Sequence, residues 1–236
     1  DALYFLNPSA YLSAILPYLP YGRADRRFVE GDCFGLEHFL RIMRFACDEM
    51  VTLDAHSRKF LDLGSPLSVI DVPATELILK SIVAASDAHN RSDVLVLFPD
   101  QGARLRYVLP QEVGNNAHVT KIVIENCDKK RDAATGKFLG FSVPASLPEL
   151  PVLIVDDICD GGGTFIGIAE ELKRNGAIVD QPMYLYVTHG IFSKGLDELS
   201  KHFTRFFTTD SRTQEMSSRV EVFPSMPHIA KWLNSR

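Results

Sequence analysis

The stretch that decides the fold is Val152-Leu-Ile-Val-Asp-Asp-Ile-Cys-Asp-Gly-Gly-Gly-Thr-Phe165. It opens with four apolar residues and no polar break, which is typical of a parallel strand buried on both faces. We expect this strand to end at the two carboxylates, Asp156 and Asp157. Apolar residues then recur at helical spacing over residues 165–172, and Gly176 fits the end of that helix.

The loop between this strand and this helix predicts an anion site. It consists of Asp160, Gly161, Gly162, Gly163 and Thr164. Glycines allow positive φ angles and let a ligand approach the backbone closely. Successive N–H groups and a helix N-terminus then bind an anion, usually phosphate. The loop contains no lysine, so it is not a G-x-x-x-x-G-K-[ST] loop, and its glycine spacing does not fit G-x-G-x-x-G either.

The two carboxylates are the distinctive part of the stretch. Beside a phosphate they would repel the ligand unless they had another role. Asp156 and Asp157 can accept hydrogen bonds from vicinal sugar hydroxyls or hold Mg²⁺. The whole stretch therefore predicts a ribose 5-phosphate cradle. The alternative, an ordinary turn rich in Asp and Gly, does not explain why all these features coincide.

This stretch resembles the phosphoribosyl-pyrophosphate (PRPP) motif of the type I phosphoribosyltransferase fold. The resemblance implies that fold and a ligand with a ribose 5-phosphate moiety. It does not say which reaction follows.

Composition excludes several classes of protein. The net charge of −5 over 236 residues indicates no general affinity for nucleic acid. No apolar run approaches the roughly 18 residues of a membrane span, so we expect no membrane partner. The four cysteines show neither C-x-x-C nor a metal-binding spacing, which predicts reduced thiols and a cytoplasmic protein.

Strands alternate with helices along the chain, and several strands end in polar residues. We predict a helix whose apolar stripe runs from Leu36 to Met50, and a linker over residues 66–73. This order predicts an α/β fold with a doubly wound, mostly parallel sheet, present once or as two such sheets in tandem.

Taken in order, the strand-end motifs resemble the ribose-phosphate pyrophosphokinases (PRPP synthetases). Besides the central stretch they are Pro17-Tyr-Leu-Pro-Tyr-Gly-Arg-Ala-Asp-Arg-Arg27, Leu53-Asp-Ala-His56, Phe98-Pro-Asp-Gln-Gly102, Asp128-Lys-Lys-Arg131 and Thr188-His-Gly-Ile-Phe-Ser193. Taken alone, the arginine-rich loop would be a solvated turn. Six motifs in register are far more specific than any one of them.

The resemblance implies two tandem type I phosphoribosyltransferase-like domains. Residues 1–72 would form an N-terminal domain with the ATP-site motifs. Residues 73–236 would form a C-terminal domain with the ribose 5-phosphate site, and the last helix would pack on the N-terminal domain. The implied reaction transfers the β,γ-diphosphoryl group of ATP to the C1 hydroxyl of ribose 5-phosphate, giving PRPP and AMP with Mg²⁺ as cofactor.

The resemblance also assigns roles to individual residues. The ATP site would contain Arg23, Asp25, Arg26 and His56. His56 and Asp100 would meet the metal and the ATP phosphates. Lys129 and Arg131 would lie on a flexible catalytic loop. The ribose 5-phosphate would be held by Asp156, Asp157, Asp160, Gly161, Gly162, Gly163 and Thr164.

Members of the family are longer at the N-terminus, so we interpret the chain as a shortened or incomplete member. The resemblance implies a homo-oligomer, either a dimer or a hexamer. Two alternatives stay open. One is a phosphoribosyltransferase that consumes PRPP, and the other is a non-catalytic relative that regulates an active synthetase.

Overall fold

The computed structural model describes residues 7, 9–27, 29–59, 67–89, 93–110, 119–131, 138–215 and 217–236, with the backbone alone at positions 131 and 138. The chain divides into two compact units. The first unit comprises Asp1–Pro73 together with Pro224–Arg236, and the second comprises Ala74–Phe223. None of the described helices has both the length and the apolar character needed to cross a membrane. All four cysteines are free thiols.

The first unit contains a parallel sheet of three strands in the order β1-β2-β3. Its elements are β1 (Ser13–Ile15), α1 (Gly35–Met43), β2 (Glu49–Leu53), β3 (Ser68–Val72) and α5 (Ser225–Leu233). Leu36 and Leu40 of α1 pack with Met50 of β2 in one apolar core. Burial of these side chains is the main force that joins helix and sheet.

Two sequence predictions for this unit were wrong. Helix α1 ends at Met43, where the N–H groups of Ala46 and Cys47 turn back to the Met43 carbonyl, so Met50 belongs to a strand. Cys47 still packs in the same core, which explains why the apolar spacing continued past the helix. The expected linker contains strand β3, which pairs with β2 along its whole length.

The second unit is built on a sheet of six strands in the order β11-β10-β9-β8-β4-β5, all parallel. Its elements are α2 (Thr75–Asp87), β4 (Asp93–Phe98), α3 (Gln101–Arg106), β5 (Lys121–Asn126), β6 (Asp128–Arg131), β7 (Phe138–Ser142), β8 (Val152–Cys159), α4 (Gly163–Arg174), β9 (Met183–Gly190), a 3₁₀ turn (Leu199–Lys201), β10 (Arg205–Thr209) and β11 (Val220–Phe223). Strands β6 and β7 form a separate antiparallel pair.

The predicted strand and helix around the central stretch are confirmed. The residues Val152 to Val155 are fully buried between β4 and β9. Phe165, Ile168 and Leu172 of α4 pack in the same core as Ile154. The predicted α/β class with mostly parallel sheets is confirmed as well.

The strand order reverses between β4 and β8. From β4 the chain continues outward to β5, then returns to β8 on the other side of β4 and proceeds to β9, β10 and β11. Parallel α/β sheets bind ligands at the carboxyl ends of the strands that flank such a reversal. A ligand-binding site is therefore expected at the loops that follow β4 and β8.

Candidate active site

Strand β8 does not end at the acidic pair, as the sequence predicted, but continues to Cys159. Its pairing with β4 stops at Ile154, whereas its pairing with β9 continues to Cys159. Asp156 and Asp157 therefore lie on a part of β8 that pairs with β9 but extends beyond its pairing with β4. The two carboxylates thus lie at the carboxyl edge of the sheet, at the switch point.

The two carboxylates have different surroundings. Asp157 is only 1% exposed and forms an ion pair with Arg106, the last residue of α3. Asp156 is partly exposed and accepts a hydrogen bond from the Asp157 N–H at 2.9 Å. Burial, and then the charge of Asp157, raise the pKa of the Asp156 carboxyl well above its usual range. With Arg106 paired to Asp157, ionisation of Asp156 is unfavourable in the absence of a ligand.

The glycine loop follows directly. Gly162 has a φ of +78° and is the N-cap of α4, so the loop uses the left-handed conformation that glycine tolerates. The N–H groups of the first helical residues, beginning at Gly163, have no acceptor within the helix. A Cβ on Gly163 would meet no atom within 4 Å, so the backbone is open to an approaching group there. Asp160 is exposed at the entrance of the loop.

A second charged pair lies beyond the carboxyl end of β4. Asp100 is the N-cap of α3 and accepts a hydrogen bond from the Ala103 N–H at 2.9 Å. Its other oxygen accepts a hydrogen bond from Lys129 Nζ at 2.7 Å. Burial alone would raise the pKa of Asp100, but Lys129 and the backbone N–H groups outweigh burial and lower it.

Lys129 and Arg131 were expected on a flexible loop, but both lie on strand β6, which pairs with β7. The register between these strands shifts at Lys130 and Arg131. The rest of the predicted loop, residues 132–137, lies outside the described residues, as does the Arg131 side chain. Only Lys129 can thus be placed in contact with another site residue, Asp100.

The predicted ATP segment belongs to the first unit, and Asp25 is its buried centre. Asp25 is 4% exposed, and its carboxylate lies 3.0 Å from Arg26 Nε and 3.3 Å from Lys59 Nζ. Burial favours a higher pKa for Asp25, yet hydrogen bonds from Arg26, Ser57 and Lys59 outweigh it and lower the pKa to about 2. This carboxylate is engaged by its own neighbours.

His56 lies next to the same segment. It follows β2 and is partly buried. A Cβ on Gly22 would lie 3.6 Å from the Cβ of His56, so the backbone before Arg23 approaches the histidine closely. The side chain of Arg23 is exposed. The structure therefore brings together the four predicted ATP-site residues around one corner of the first unit.

The two predicted metal ligands, His56 and Asp100, belong to different units. Within the described ranges, no group of three or more His, Cys, Asp or Glu side chains is arranged to hold a metal ion. The chemistry of the acidic pair nevertheless suits Mg²⁺, which prefers carboxylate oxygens. A cation bound there would favour the ionised form of Asp156, which burial and Asp157 disfavour.

Three cations in these surroundings were not predicted from the sequence. Arg106 pairs with Asp157, Lys59 pairs with Asp25, and the Lys194 side chain packs against Gly161. Each is distant in sequence from its partner. Lys194 directly follows the motif Thr188–Ser193, and Arg106 lies four residues after Phe98–Gly102, so their positions were the signal that could have found them.

No family model matches the chain, but curated proteins are similar to it over nearly its whole length. The ribose-phosphate pyrophosphokinase of Pyrococcus furiosus is 26% identical over 219 residues, which cover 92% of this chain and 72% of that protein. Its namesake in Cereibacter sphaeroides is 26% identical over 231 residues, or 93% of this chain and 64% of that protein. That of Methanopyrus kandleri is 28% identical over 237 residues, or 97% and 74%. The chain thus spans between 64% and 74% of the length of these relatives.

A solved structure has the same fold. The crystal structure of phosphoribosylpyrophosphate synthetase from Mycobacterium smegmatis matches with a TM-score of 0.74 and 19% sequence identity. The match covers 95% of this chain and 71% of that one. The resemblance inferred from the six motifs is therefore confirmed, in sequence by the curated relatives and in fold by this structure.

Proposed function

We propose that this chain is a ribose-phosphate pyrophosphokinase, which transfers the β,γ-diphosphoryl group of ATP to the C1 hydroxyl of ribose 5-phosphate and releases PRPP and AMP. Support comes from the curated relatives of that name, which match this chain over most of its length. The observation that carries the proposal is the switch point between β4 and β8, where a glycine loop and an acidic pair belong to one strand end and the Asp100–Lys129 pair follows the other.

Ribose 5-phosphate would lie along the carboxyl end of β8. Its phosphate would accept hydrogen bonds from the backbone N–H groups of the loop from Gly161 to Thr164, where the start of α4 adds a favourable dipole. Its ring hydroxyls would donate to Asp156, while Asp157 is held in place by Arg106. Phosphate and hydroxyls are thus recognised by groups of opposite electrostatic character.

In the transfer step, the C1 oxygen forms a bond to the β-phosphorus as the bond between that phosphorus and the α,β-bridging oxygen breaks. The C1 hydroxyl releases its proton to solvent, and AMP leaves with the bridging oxygen. Negative charge grows on the phosphoryl oxygens and on AMP. Lys129, together with Arg131 on the same strand, would stabilise this charge.

Mg²⁺ would be held by the acidic pair on β8 and by Asp100. When bound, it would neutralise the charge of the diphosphoryl group and polarise the β-phosphorus. The chain would contribute to Mg²⁺ binding through these carboxylates, which lie at the carboxyl ends of β4 and β8. His56 would contact the ATP phosphates, as the resemblance implies.

We assign ATP recognition to Arg23, Arg26 and His56. A guanidinium binds phosphate oxygens in a bidentate way and stacks on a base, which suits it to a nucleotide. Asp25 would act as a positioning residue, because its buried carboxylate holds Arg26 and Lys59 rather than facing solvent. The proposed enzyme would work in the cytoplasm as a homo-oligomer, a dimer or a hexamer, as the resemblance implies.

The test is an assay of AMP and PRPP with ATP, Mg²⁺ and ribose 5-phosphate, alongside a reaction without the sugar. Equimolar AMP and PRPP that depend on the sugar are the expected result. Consumption of PRPP with a nucleobase would instead identify a phosphoribosyltransferase. Binding of ribose 5-phosphate without any product would identify a non-catalytic relative.

A further inference from the structure

The glycine loop lacks a cation of its own, but a lysine from another strand end lies over it. A Cβ on Gly161 would lie 3.4 Å from both Cδ and Cε of Lys194, and 3.7 Å from its Cγ. The lysine stem therefore covers the face of the loop at Gly161, and the ammonium is one bond beyond Cε. Lys194 reaches this place from the segment that follows β9.

That segment is fixed to the loop by backbone hydrogen bonds. The N–H groups of Ile191 and Phe192 both donate to the Cys159 carbonyl, at 2.9 and 3.1 Å. The Ser193 N–H donates to the Asp160 carbonyl at 3.1 Å. The backbone leading into Lys194 is thus tied to the same residues that open the glycine loop, so the position of the stem is set by the fold.

The lysine stem lies at ordinary contact distance from the loop. A Cβ at position 161 would be in van der Waals contact with it, at 3.4 Å. The exposed ammonium is a compact charge on a flexible stem, so it can move onto a ligand held by the loop. The only other charged residue of the loop is Asp160, which would repel a phosphate.

We propose that Lys194 is a specificity residue for the 5-phosphate of the sugar substrate. Its ammonium supplies the positive charge that distinguishes ribose 5-phosphate from unphosphorylated sugars, while the loop N–H groups fix the orientation of the phosphate. This assignment rests on the proposed function, because it assumes that the loop binds the substrate phosphate.

The test compares Lys194→Met, which keeps the length of the stem but removes the charge, with Lys194→Arg, which keeps the charge. Lys173→Met, in the last turn of α4 at the opposite end of that helix, is the matched control for a general loss of charge. Calorimetric titration with ribose 5-phosphate gives Kd for each protein without requiring turnover. KM for ribose 5-phosphate and for ATP is measured alongside.

We expect Lys194→Met to raise Kd and KM for ribose 5-phosphate about tenfold, the effect of one charge-assisted hydrogen bond. Lys194→Arg should recover most of that loss, and Lys173→Met should change Kd less than about twofold. A Kd for Lys194→Met equal to that of the unaltered protein would overturn the assignment, as would an equal rise in KM for ATP. If the unaltered protein binds no ribose 5-phosphate, the proposed function itself fails, and the role of Lys194 fails with it.

Discussion

The two candidate regions treat their carboxylates in opposite ways. In the first unit, Asp25 is surrounded by Arg26, Lys59 and Ser57, and its pKa is lowered to about 2. In the second unit, Asp156 lies beside another carboxylate, and its pKa is raised. Each of these two aspartates belongs to a motif at the end of a strand, and in both motifs basic residues or glycines are close by. The motifs alone therefore do not show that the two pKa values shift in opposite directions.

The difference separates an anchor from a ligand site. A carboxylate with sufficient positive neighbours stabilises the fold and has little left to offer a ligand. A raised pKa means that the fold disfavours the ionised carboxylate, so hydroxyl donors or a cation that favour the ionised form can bind there. We therefore infer that Asp25 positions its cations, whereas Asp156 faces the substrate.

The pair formed by Asp100 and Lys129 is intermediate, because Asp100 has a cationic partner as Asp25 does but is more exposed. Substitution in this pair gives the largest effect on kcat that we expect. Both side chains are about one third exposed, so the pair contributes little to stability, less than about 1 kcal/mol. If Lys129 stabilises the transferring diphosphoryl group, Lys129→Ala lowers kcat by about 10²-fold or more while the fold survives. Steady-state rates and urea denaturation measure the two quantities.

The control for this prediction is Lys130→Ala, which removes an equal charge from the next position of the same strand. Successive side chains of a strand point to opposite faces, so Lys130 should not share the role of Lys129. Arg131→Ala is expected to lower kcat in the same way as Lys129→Ala. Near-normal turnover in both variants would remove the catalytic assignment and class the Asp100–Lys129 pair with the anchors.

The next effect concerns Asp156. Asp156→Asn keeps the shape of the side chain and removes the negative charge next to Asp157. We expect kcat/KM for ribose 5-phosphate to fall at least about tenfold, because a charged acceptor is replaced by a neutral one. Stability should stay constant or rise, because the repulsion within the pair is relieved. A variant that is less stable and fully active would reverse our comparison.

Asp25 predicts a dependence of stability on pH. Its pKa in the folded protein, about 2, lies below the ordinary value of 3.8, so the ionised form is favoured by folding. The stabilisation is therefore fully present above pH about 4 and is lost as pH falls toward 2; it amounts to about 2 kcal/mol. Asp25→Asn should lack this component, so its free energy of unfolding should fall less steeply over that range.

Denaturation by urea at a series of pH values gives the two curves, and their difference cancels the carboxylates that both proteins share. Lys59→Met is a second test variant, since it removes one partner of Asp25. In that background, Asp25→Asn should change the dependence of the unfolding free energy on pH by a smaller amount. Parallel curves for Asp25→Asn and the unaltered protein would mean that Asp25 is not anchored by its neighbours.

The sequence was sufficient where structure is local. The apolar run of β8, the glycine loop and the stripe of α4 follow each other within one stretch, and their spacing determines their conformation. The α/β class with mostly parallel sheets follows from the order of such stretches. The sequence also predicted a sugar site at the acidic pair, and that assignment stays a prediction.

What the sequence did not predict depends on partners that are distant along the chain. Strand β8 continues past the acidic pair because β9 supplies a partner as far as Cys159. Strand β3 contains Asp71, which interrupts an apolar pattern, but that side chain accepts hydrogen bonds from the Ala55 N–H and from Arg58. Arg106 and Lys194 likewise meet their partners only once the sheet is formed.

The smallest effect that we expect concerns two glycines of the loop, one needed for the conformation of the backbone and one for access of the phosphate. Gly162 needs glycine for its shape, because its φ is +78° and a Cβ there would lie 3.1 Å from side-chain carbons of Leu199. Gly162→Ala should therefore lower the free energy of unfolding by about 1 to 2 kcal/mol, the cost of the left-handed conformation. Gly163 starts α4, and a Cβ there meets no atom within 4 Å, so Gly163→Ala should be neutral or slightly stabilising.

The binding of ribose 5-phosphate should not follow the order of stability. A methyl group on Gly163 occupies the open space from which a phosphate would approach the helix N-terminus, so Gly163→Ala should weaken binding although the fold is intact. Urea denaturation and calorimetric titration of both variants separate the two properties. If Gly163→Ala binds ribose 5-phosphate normally, the phosphate does not approach the loop at that residue. The open space at Gly163 would then have no role in binding the phosphate.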